Sequence, residues 1–372
     1  MPNVPLELSD YIIDFLHKDA RTLAVCARVC RAWTPASRFH LFRSIVLQNH
    51  NFTSSFQRLL KTTPDLGCYV RELTVARFVT PSAVFRPAKP APSVEDALPH
   101  VLAHLPHLRS LTLAHIDLKS VTELSALHHP SLTKATFSFC QFADFADLVD
   151  LVSSFPSLAK LSIAGLTWKE ELRVPEARPL PTLRTLALGR ELDAERLFEW
   201  LVATGLHTSI TSLAVRCASE RDTDLVGPFI TLAGPALHSL DLDWSFSGDK
   251  TIALPHTVSL AACTALEGLR LQFPVHYSAS LPWIVSLLET LEAPTLRALA
   301  LDIRLLGGLA SLDWDGLNGV LAGPAYATLG ALDVGVNLWP GVHRDMAEVE
   351  GIVRERLAPF GKRGGVLRCS KI

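Results

Sequence analysis

The sequence LRSLTL, Leu108–Leu113, has apolar residues at relative positions 0, 3 and 5, with charged or small polar residues between them. Two earlier copies of this pattern begin at Phe42 and Val70. The later copies are LTKATF from Leu132, LAKLSI from Leu158, LRTLAL from Leu183, ITSLAV from Ile210, LHSLDL from Leu237, LEGLRL from Leu266, LRALAL from Leu296 and LGALDV from Leu329. From Leu108 onward, the spacing between starts runs from 24 residues (108 to 132) to 33 (296 to 329). Such a recurrence indicates a repeat architecture.

Each repeat predicts one strand followed by one helix. The last two apolar positions alternate with polar or small ones, as expected for a short strand with one buried face. Between the strands, Asp144–Phe155 and Asp193–Gly205 have apolar residues at spacings of three and four, and each begins with an aspartate that can cap the first helical turn. One such unit cannot bury its apolar face alone, so the units are expected to stack with their strands parallel.

This pattern resembles the leucine-rich repeat family, over roughly Phe42 to the C-terminus. The resemblance implies an α/β chain forming a curved solenoid with a parallel sheet and outer helices. The family usually places Asn or Cys eight residues after the first leucine, and here only Cys140 and Asn337 do so. We therefore expect irregular turns and uneven curvature.

The longer step between Val70 and Leu108 contains four prolines within residues 80–93, which predicts an exposed loop inserted into an early repeat.

A different pattern precedes the repeats. Pro5 suits a helix start, and Leu6, Ile12, Ile13 and Leu16 form the apolar side of a first helix. A second helical stretch carries Leu23, Val25, Cys26 and Val29, and a third begins near Cys30 and Trp33. We predict a helical module over residues 1–45 and a repeat region over residues 46–372.

The module resembles an F-box. VPLELSDYIIDFL, residues 4–16, matches the leading helix of that family, with Val4 in place of the usual leucine, and VCRAW, Val29–Trp33, matches its second element. An F-box followed by degenerate leucine-rich repeats is similar to a class of fungal F-box proteins. The resemblance implies a non-catalytic substrate receptor for protein degradation: the helices dock on the Skp-family adaptor, and through it on the cullin, of an SCF-type ubiquitin ligase, while the repeats bind a protein substrate. The residues expected to dock on the adaptor are Pro5, Leu6, Leu8, Ile12, Leu16, Val29, Cys30 and Trp33.

A second interpretation stays open. The chain would then be a leucine-rich-repeat interaction scaffold that does not assemble with a ubiquitin ligase, and affinity for the adaptor is what separates the two.

Residues between the inward-facing leucines should lie on the open face of the sheet. In the later repeats this face carries several aspartates, and we expect them to form an acidic contact patch for a basic peptide or protein surface. The simpler alternative is that they only keep the face soluble. The patch consists of Asp241, Asp243, Asp302 and Asp333, with the neighbouring Trp244.

Composition narrows the class of protein. Hydrophobic residues make up 48% of the chain and charged residues 19%, which favours a folded protein. The formal net charge of −2 argues against nucleic acid as a partner. The most membrane-like stretch, residues 316–332, is interrupted by Asn318, Gly319, Gly323, Pro324 and Gly330, so we expect no membrane span. The N-terminus lacks the pattern of a secretory signal, so we expect an intracellular protein, cytoplasmic or nuclear.

The sequence carries no recognised catalytic motif. We find no Gly-rich phosphate loop, HExxH or GxSxG, and we expect neither enzymatic activity nor a cofactor. Cys26 and Cys30 could face one side of a helix, but a structural zinc site needs about four ligands and no second pair lies nearby. The seven cysteines are expected to be reduced and mostly buried, and His128–His129 is expected to lie in a solvated loop.

Overall fold

A computed structural model of the chain forms two compact units, Met1–Thr182 and Leu183–Ile372. The structure describes residues 5–77, 94–118, 121–127, 129–170, 180, 182–192, 194–244, 258–275, 282–309, 312–339 and 345–371. The predicted boundary after residue 45 lies within the first unit. The predicted loop at residues 80–93 lies outside the described residues.

The first unit begins with helices and continues with alternating strands and helices. Its helices are α1 Leu6–Phe15, α2 Ala20–Cys26, α3 Thr34–Phe42, α4 His50–Thr62, α5 Val94–Leu102, α6 Thr122–Ser125 and α7 Phe145–Ser153. Its strands are β1 Ser44–Leu47, β2 Glu72–Ala76, β3 Ser110–Ala114, β4 Asp117–Leu118, β5 Lys134–Ser138, β6 Gln141–Asp144, β7 Lys160–Ala164 and β8 Thr167–Glu170.

The strands of the first unit form two parallel sheets. The larger has the order β1-β2-β3-β5-β7, and the smaller has the order β4-β6-β8. In the larger sheet the repeats are in register, so that Ser110 lies beside Lys134 and Lys134 beside Lys160. Equivalent positions of successive repeats are therefore neighbours in space.

The second unit repeats the same plan, and most of its strands are longer. Its strands are β9 Thr185–Leu188, β10 Ser212–Cys217, β11 Ser239–Trp244, β12 Gly268–Val275, β13 Ala298–Leu305, β14 Ala331–Leu338 and β15 Val366–Lys371. Its helices are α8 Ala194–Ala203, α9 Glu220–Ala233, α10 Pro282–Glu289, α11 Trp314–Leu321, α12 Met346–Arg356 and α13 Ala358–Lys362. The strands pair in sequence order, and all of these pairs are parallel.

The core follows the repeat pattern. In β3, β5 and β7 every second residue is buried, and these are Leu111, Leu113, Ala135, Phe137, Leu161 and Ile163. Burying one such aliphatic or aromatic side chain contributes about 1.5–3 kcal/mol, and stacking in register lets each repeat cover the apolar face of the next. The prediction of an α/β chain with a large parallel sheet and many helices is confirmed.

Helix ends also follow the local sequence. Asp144 caps α7 by accepting a hydrogen bond from the Ala146 N–H at 3.1 Å, as predicted. Asp147 completes a capping box, because its carboxylate accepts from the Asp144 N–H at 3.2 Å. Ser219 and Asp222 form the same motif at the start of α9. Asp193, the other predicted cap, lies outside the described residues.

Candidate functional site

Helix α1 carries apolar side chains on two sides. On the inner side, Ser9 and Ile13 are buried and Leu16 is partly buried. On the outer side, four apolar side chains at positions i, i+3, i+4 and i+7 are between 54% and 68% exposed, and Tyr11 contacts Phe15 edge-on with 4.8 Å between ring centroids. We call these four the α1 stripe: Leu8, Tyr11, Ile12 and Phe15. A soluble helix normally has one apolar side, so the stripe is surface left without a partner within the described residues.

Two valines add to the exposed apolar surface of the helical module. Val25 is at the end of α2 and Val29 is in the turn that follows, and both are more than half exposed. Val29 was expected inside a helix but lies three residues beyond the end of α2. Residues 27–29 form a turn after the end of α2.

The predicted adaptor-docking residues outside the α1 stripe differ in exposure. Pro5 is exposed and is the N-cap residue of α1, Cys30 is exposed, and Trp33 is partly buried at the N-cap of α3. The side chain of Leu6 lies outside the described part. Sequence reasoning missed Tyr11 and Phe15. Their spacing places them on one side of α1 with Leu8 and Ile12, but only the tertiary structure decides which side of the helix faces the core.

Polar contacts hold the three helices of the module in place. His40 Nε2 in α3 lies 2.7 Å from Asp14 Oδ1 in α1. The Thr34 hydroxyl donates to the Ala27 and Cys30 carbonyl oxygens at 3.1 and 3.0 Å, which ties the α2–α3 turn to the start of α3. Asp19 caps α2, and hydrogen bonds from the Thr22 side chain and backbone lower the pKa of this carboxyl.

The two cysteines of the module differ in environment. Cys26 is buried while Cys30 is exposed, so they do not present two thiols to one space. No group of three or more metal-ligand side chains occurs in the described ranges. Burial raises the pKa of Cys217 to about 12 and that of Cys263 to about 11. These two thiols are therefore protonated apolar groups at neutral pH.

The second unit has charged residues on the sheet face opposite the buried leucines. Parallel pairing places them in two rows across the strands. The first row is Ala214, Asp241, Arg270, Ala300, Asp333 and Arg368. The second row is Arg216, Asp243, Gln272, Asp302, Gly335 and Ser370, and Arg304 lies two residues further along β13. We call the charged and amide side chains of both rows, together with Arg304, the charged sheet face.

Arginines pair with three of the four predicted aspartates. Arg216 Nε lies 2.9 Å from Asp243 Oδ2, and Arg304 pairs with the other oxygen of the same carboxylate. The remaining pairs are longer, at 3.5 Å for Arg270 with Asp302 and 3.5 Å for Arg368 with Asp333.

Asp241 instead accepts a hydrogen bond from Gln272 Nε2 at 2.9 Å. Burial raises the pKa of Asp241 and of Asp302, while Arg270 opposes the shift at both. The structure therefore brings the four aspartates onto one face. Three of them are paired with arginines, and the fourth accepts a hydrogen bond from Gln272.

Trp244 is placed differently from the expectation. Its side chain is 1% exposed and its ring lies 4.9 Å from that of Trp283, centroid to centroid. At the end of β11 the burial pattern changes from alternating to continuous, so the last three residues of the strand are all buried. Trp244 is a core residue and its ring is not part of the surface.

Two aromatic rings are stacked on the surface of the first unit. The rings of His115 and Phe139 are stacked with 5.0 Å between centroids, and both residues are exposed. Both have positive φ, as does Gly165 at the equivalent position of the next repeat. A Cβ at Gly165 would collide with the Phe139 ring, so glycine is required there.

His129 was expected to lie in a solvated loop, and this prediction is wrong. The residue is buried, and burial lowers the pKa of its imidazole. His128 lies outside the described residues.

No helix within the described residues is long and apolar enough to cross a membrane. The sequence matches no protein-family model and no curated protein.

Proposed function

We propose that the chain is an F-box protein, the substrate-recognition subunit of a cullin-based ubiquitin ligase. The observation that carries the proposal is the α1 stripe, four apolar side chains on one helix that are each more than half exposed. It lies in the sequence that resembles an F-box and includes Leu8 and Ile12, which the resemblance implies as docking residues. A protein partner that covered the stripe would remove this apolar surface from water.

The repeat region supports the second half of the proposal. The strand–helix units are parallel and in register, as leucine-rich-repeat-like turns would be. Cys140, at the position where that family has Asn or Cys, donates from Sγ to the Leu113 carbonyl oxygen at 3.4 Å, which links two successive repeats. Asn337, the other residue at that position, is exposed. In this proposal the helices hold the adaptor and the open sheet face holds the substrate.

The proposed mechanism is positioning. The chain itself contributes no reacting group, and it would hold a substrate lysine close to a ubiquitin carrier supplied by another subunit. Holding two reactants together replaces a bimolecular encounter with an effectively intramolecular one. This supplies a large part of the rate acceleration in many catalysed reactions.

Capture of the adaptor tests the proposal. The full chain, co-expressed with a Skp-family adaptor, should elute with it in size-exclusion chromatography. Replacing two stripe residues, Tyr11→Glu with Phe15→Glu, should weaken the complex by at least about a hundredfold, because burying each side chain is worth about 1.5–3 kcal/mol.

The matched control changes two exposed apolar residues elsewhere, Phe52→Glu in α4 with Leu232→Glu in α9. Circular dichroism should show that both double variants are folded. If the parent chain does not bind the adaptor, the chain is not an adaptor-bound receptor, and the scaffold interpretation is then the better one. If stripe and control variants bind the adaptor equally, the α1 stripe is not the docking surface, and the observation that carries the proposal fails.

A further inference from the structure

We propose that the charged sheet face of the second unit binds an acidic, extended segment of a protein partner. This names the chemistry of the substrate in the function proposed above and rests on that function to the extent that the segment belongs to a substrate. The binding itself requires no adaptor. It can therefore be tested separately.

The arginines are the accessible members of the ion pairs. The side chains of Arg216, Arg270 and Arg368 are 52%, 53% and 66% exposed, whereas those of their partners Asp243, Asp302 and Asp333 are 8%, 10% and 42% exposed. In each pair the guanidinium group is more exposed than the carboxylate, which is nearly buried in Asp243 and Asp302 and partly exposed in Asp333. A partner that approaches this face meets positive charge first, although the four arginines and four aspartates sum to zero.

Guanidinium chemistry favours a carboxylate ligand. Each arginine has five N–H donors in a planar fork that matches a carboxylate in bidentate geometry. The ion pairs of Arg270 and Arg368 to their aspartates are 3.5 Å long, and both arginine side chains are more than half exposed, so a ligand carboxylate can reach them. The aspartates also restrict the rotamers of the arginines, which reduces the entropy lost when a ligand binds.

The spacing between arginines fits an extended peptide. Arg270 on β12 and Arg368 on β15 occupy the same row, three strands apart. With neighbouring strands about 4.8 Å apart, their Cα atoms are separated by roughly 14 Å. Residues i and i+4 of an extended chain are about 13 Å apart and point to the same side.

The surface between the two arginines can admit such a chain. Ala300 and Asp333 lie between them in the first row, with Asp333 paired to Arg368, and Gly335 occupies the second row on β14. The small side chains of Ala300 and Gly335 leave space for a backbone that crosses the strands. An acidic segment with carboxylates at i and i+4 would contact both arginines.

Fluorescence anisotropy with the full chain tests the proposal. The probe is a labelled peptide of alternating glutamate and serine, and the comparison peptide has lysine in place of glutamate. We expect the glutamate peptide to bind, to bind more weakly as salt is raised, and to lose about tenfold in affinity in the double variant Arg270→Gln with Arg368→Gln.

The matched control removes the same charge from the same unit. Arg221 on α9 and Arg354 on α12 are also exposed and also paired with glutamates, Glu195 and Glu350. Arg221→Gln with Arg354→Gln should leave affinity for the glutamate peptide within about twofold of the parent chain.

Three results overturn the proposal: no binding of the glutamate peptide, preference for the lysine peptide, or equal losses in the two double variants. Preference for the lysine peptide would instead support an acidic contact patch. Adaptor capture is measured on the same samples. Peptide binding without adaptor capture would refute the ligase role alone, and adaptor capture without peptide binding would refute the inference alone.

Discussion

Asp243 on β11 and Arg216 on β10 occupy facing positions in adjacent parallel strands, and Arg216 Nε lies 2.9 Å from Asp243 Oδ2. The carboxylate is almost completely buried, and Arg304 from β13 pairs with its other oxygen. One aspartate therefore connects side chains from three strands. The pair joins residues that are 27 positions apart in sequence (216 to 243), which is one repeat.

Asp243→Asn should destabilise the second unit. The substitution removes a buried charge that two arginines contact, and we expect a loss of about 1–3 kcal/mol in the free energy of unfolding. Asp333→Asn is the matched control, since its carboxylate is 42% exposed and its pair with Arg368 is 3.5 Å long. We expect less than about 1 kcal/mol for the control. Urea denaturation gives both values, and equal losses would show that Asp243 has no special structural role.

Gly165→Ala should destabilise the first unit by about 2–3 kcal/mol, because the residue has φ of 59° and its new methyl group would meet the Phe139 ring. Gly205→Ala is the control, since Gly205 has φ of 71° but nothing within 4 Å of the added Cβ. The control should cost about 1–2 kcal/mol. Adding Phe139→Ala to Gly165→Ala should recover the difference in thermal unfolding, and failure to do so would rule out the ring contact as its cause.

Burial of His129 should make stability depend on pH. Its folded pKa is lowered from 6.5, so the unfolded chain binds this proton more readily than the folded chain does. The contribution of this group to stability is complete above a pH of about 6.5 and is lost progressively as the pH falls below that value. His129→Leu should flatten the decrease in thermal midpoint between about pH 7 and 5, whereas His107→Gln, at an exposed position, should not. An unchanged slope in His129→Leu would contradict this assignment.

Thiol labelling should separate the cysteines into classes. Cys30 and Cys68 are exposed and should react within minutes with a disulfide reagent at about pH 8. Cys217 and Cys263, with pKa values raised to about 12 and 11, should react only after denaturation. Replacing Cys30 and Cys68 with serine should abolish the fast phase. Fast labelling that persists in this double variant would mean that another thiol is accessible.

Much of the fold follows from local patterns. The apolar positions of LRSLTL and its copies identify the strands because a buried position in a strand recurs with period two. Asp144 before an apolar helix identifies the start of α7 because an aspartate satisfies free N–H groups there. The three helices of the N-terminal module also lie close to their predicted positions, and only the end of α2 differs.

Only part of each candidate site could be predicted from the sequence. Leu8 and Ile12 were identified through the F-box resemblance, whereas Tyr11 and Phe15 require knowledge of which side of α1 faces the core. The aspartates were correctly assigned to one sheet face, but Trp244 was assigned to the surface although the end of β11 is fully buried. Alternation of burial is a local rule, and it ends where neighbouring elements cover both faces of a strand.

The sequence by itself determined the repeat, the parallel α/β organisation and the helical N-terminal module, because each depends on spacing along the chain. Only the tertiary structure decided which charges meet. Asp243 and Arg304 are 61 residues apart, and no local pattern relates them. Ion pairing depends on register between strands and on how deeply each group is buried. Strand register and depth of burial together make the arginines the more exposed members of the ion pairs on the charged sheet face and the aspartates the less exposed ones.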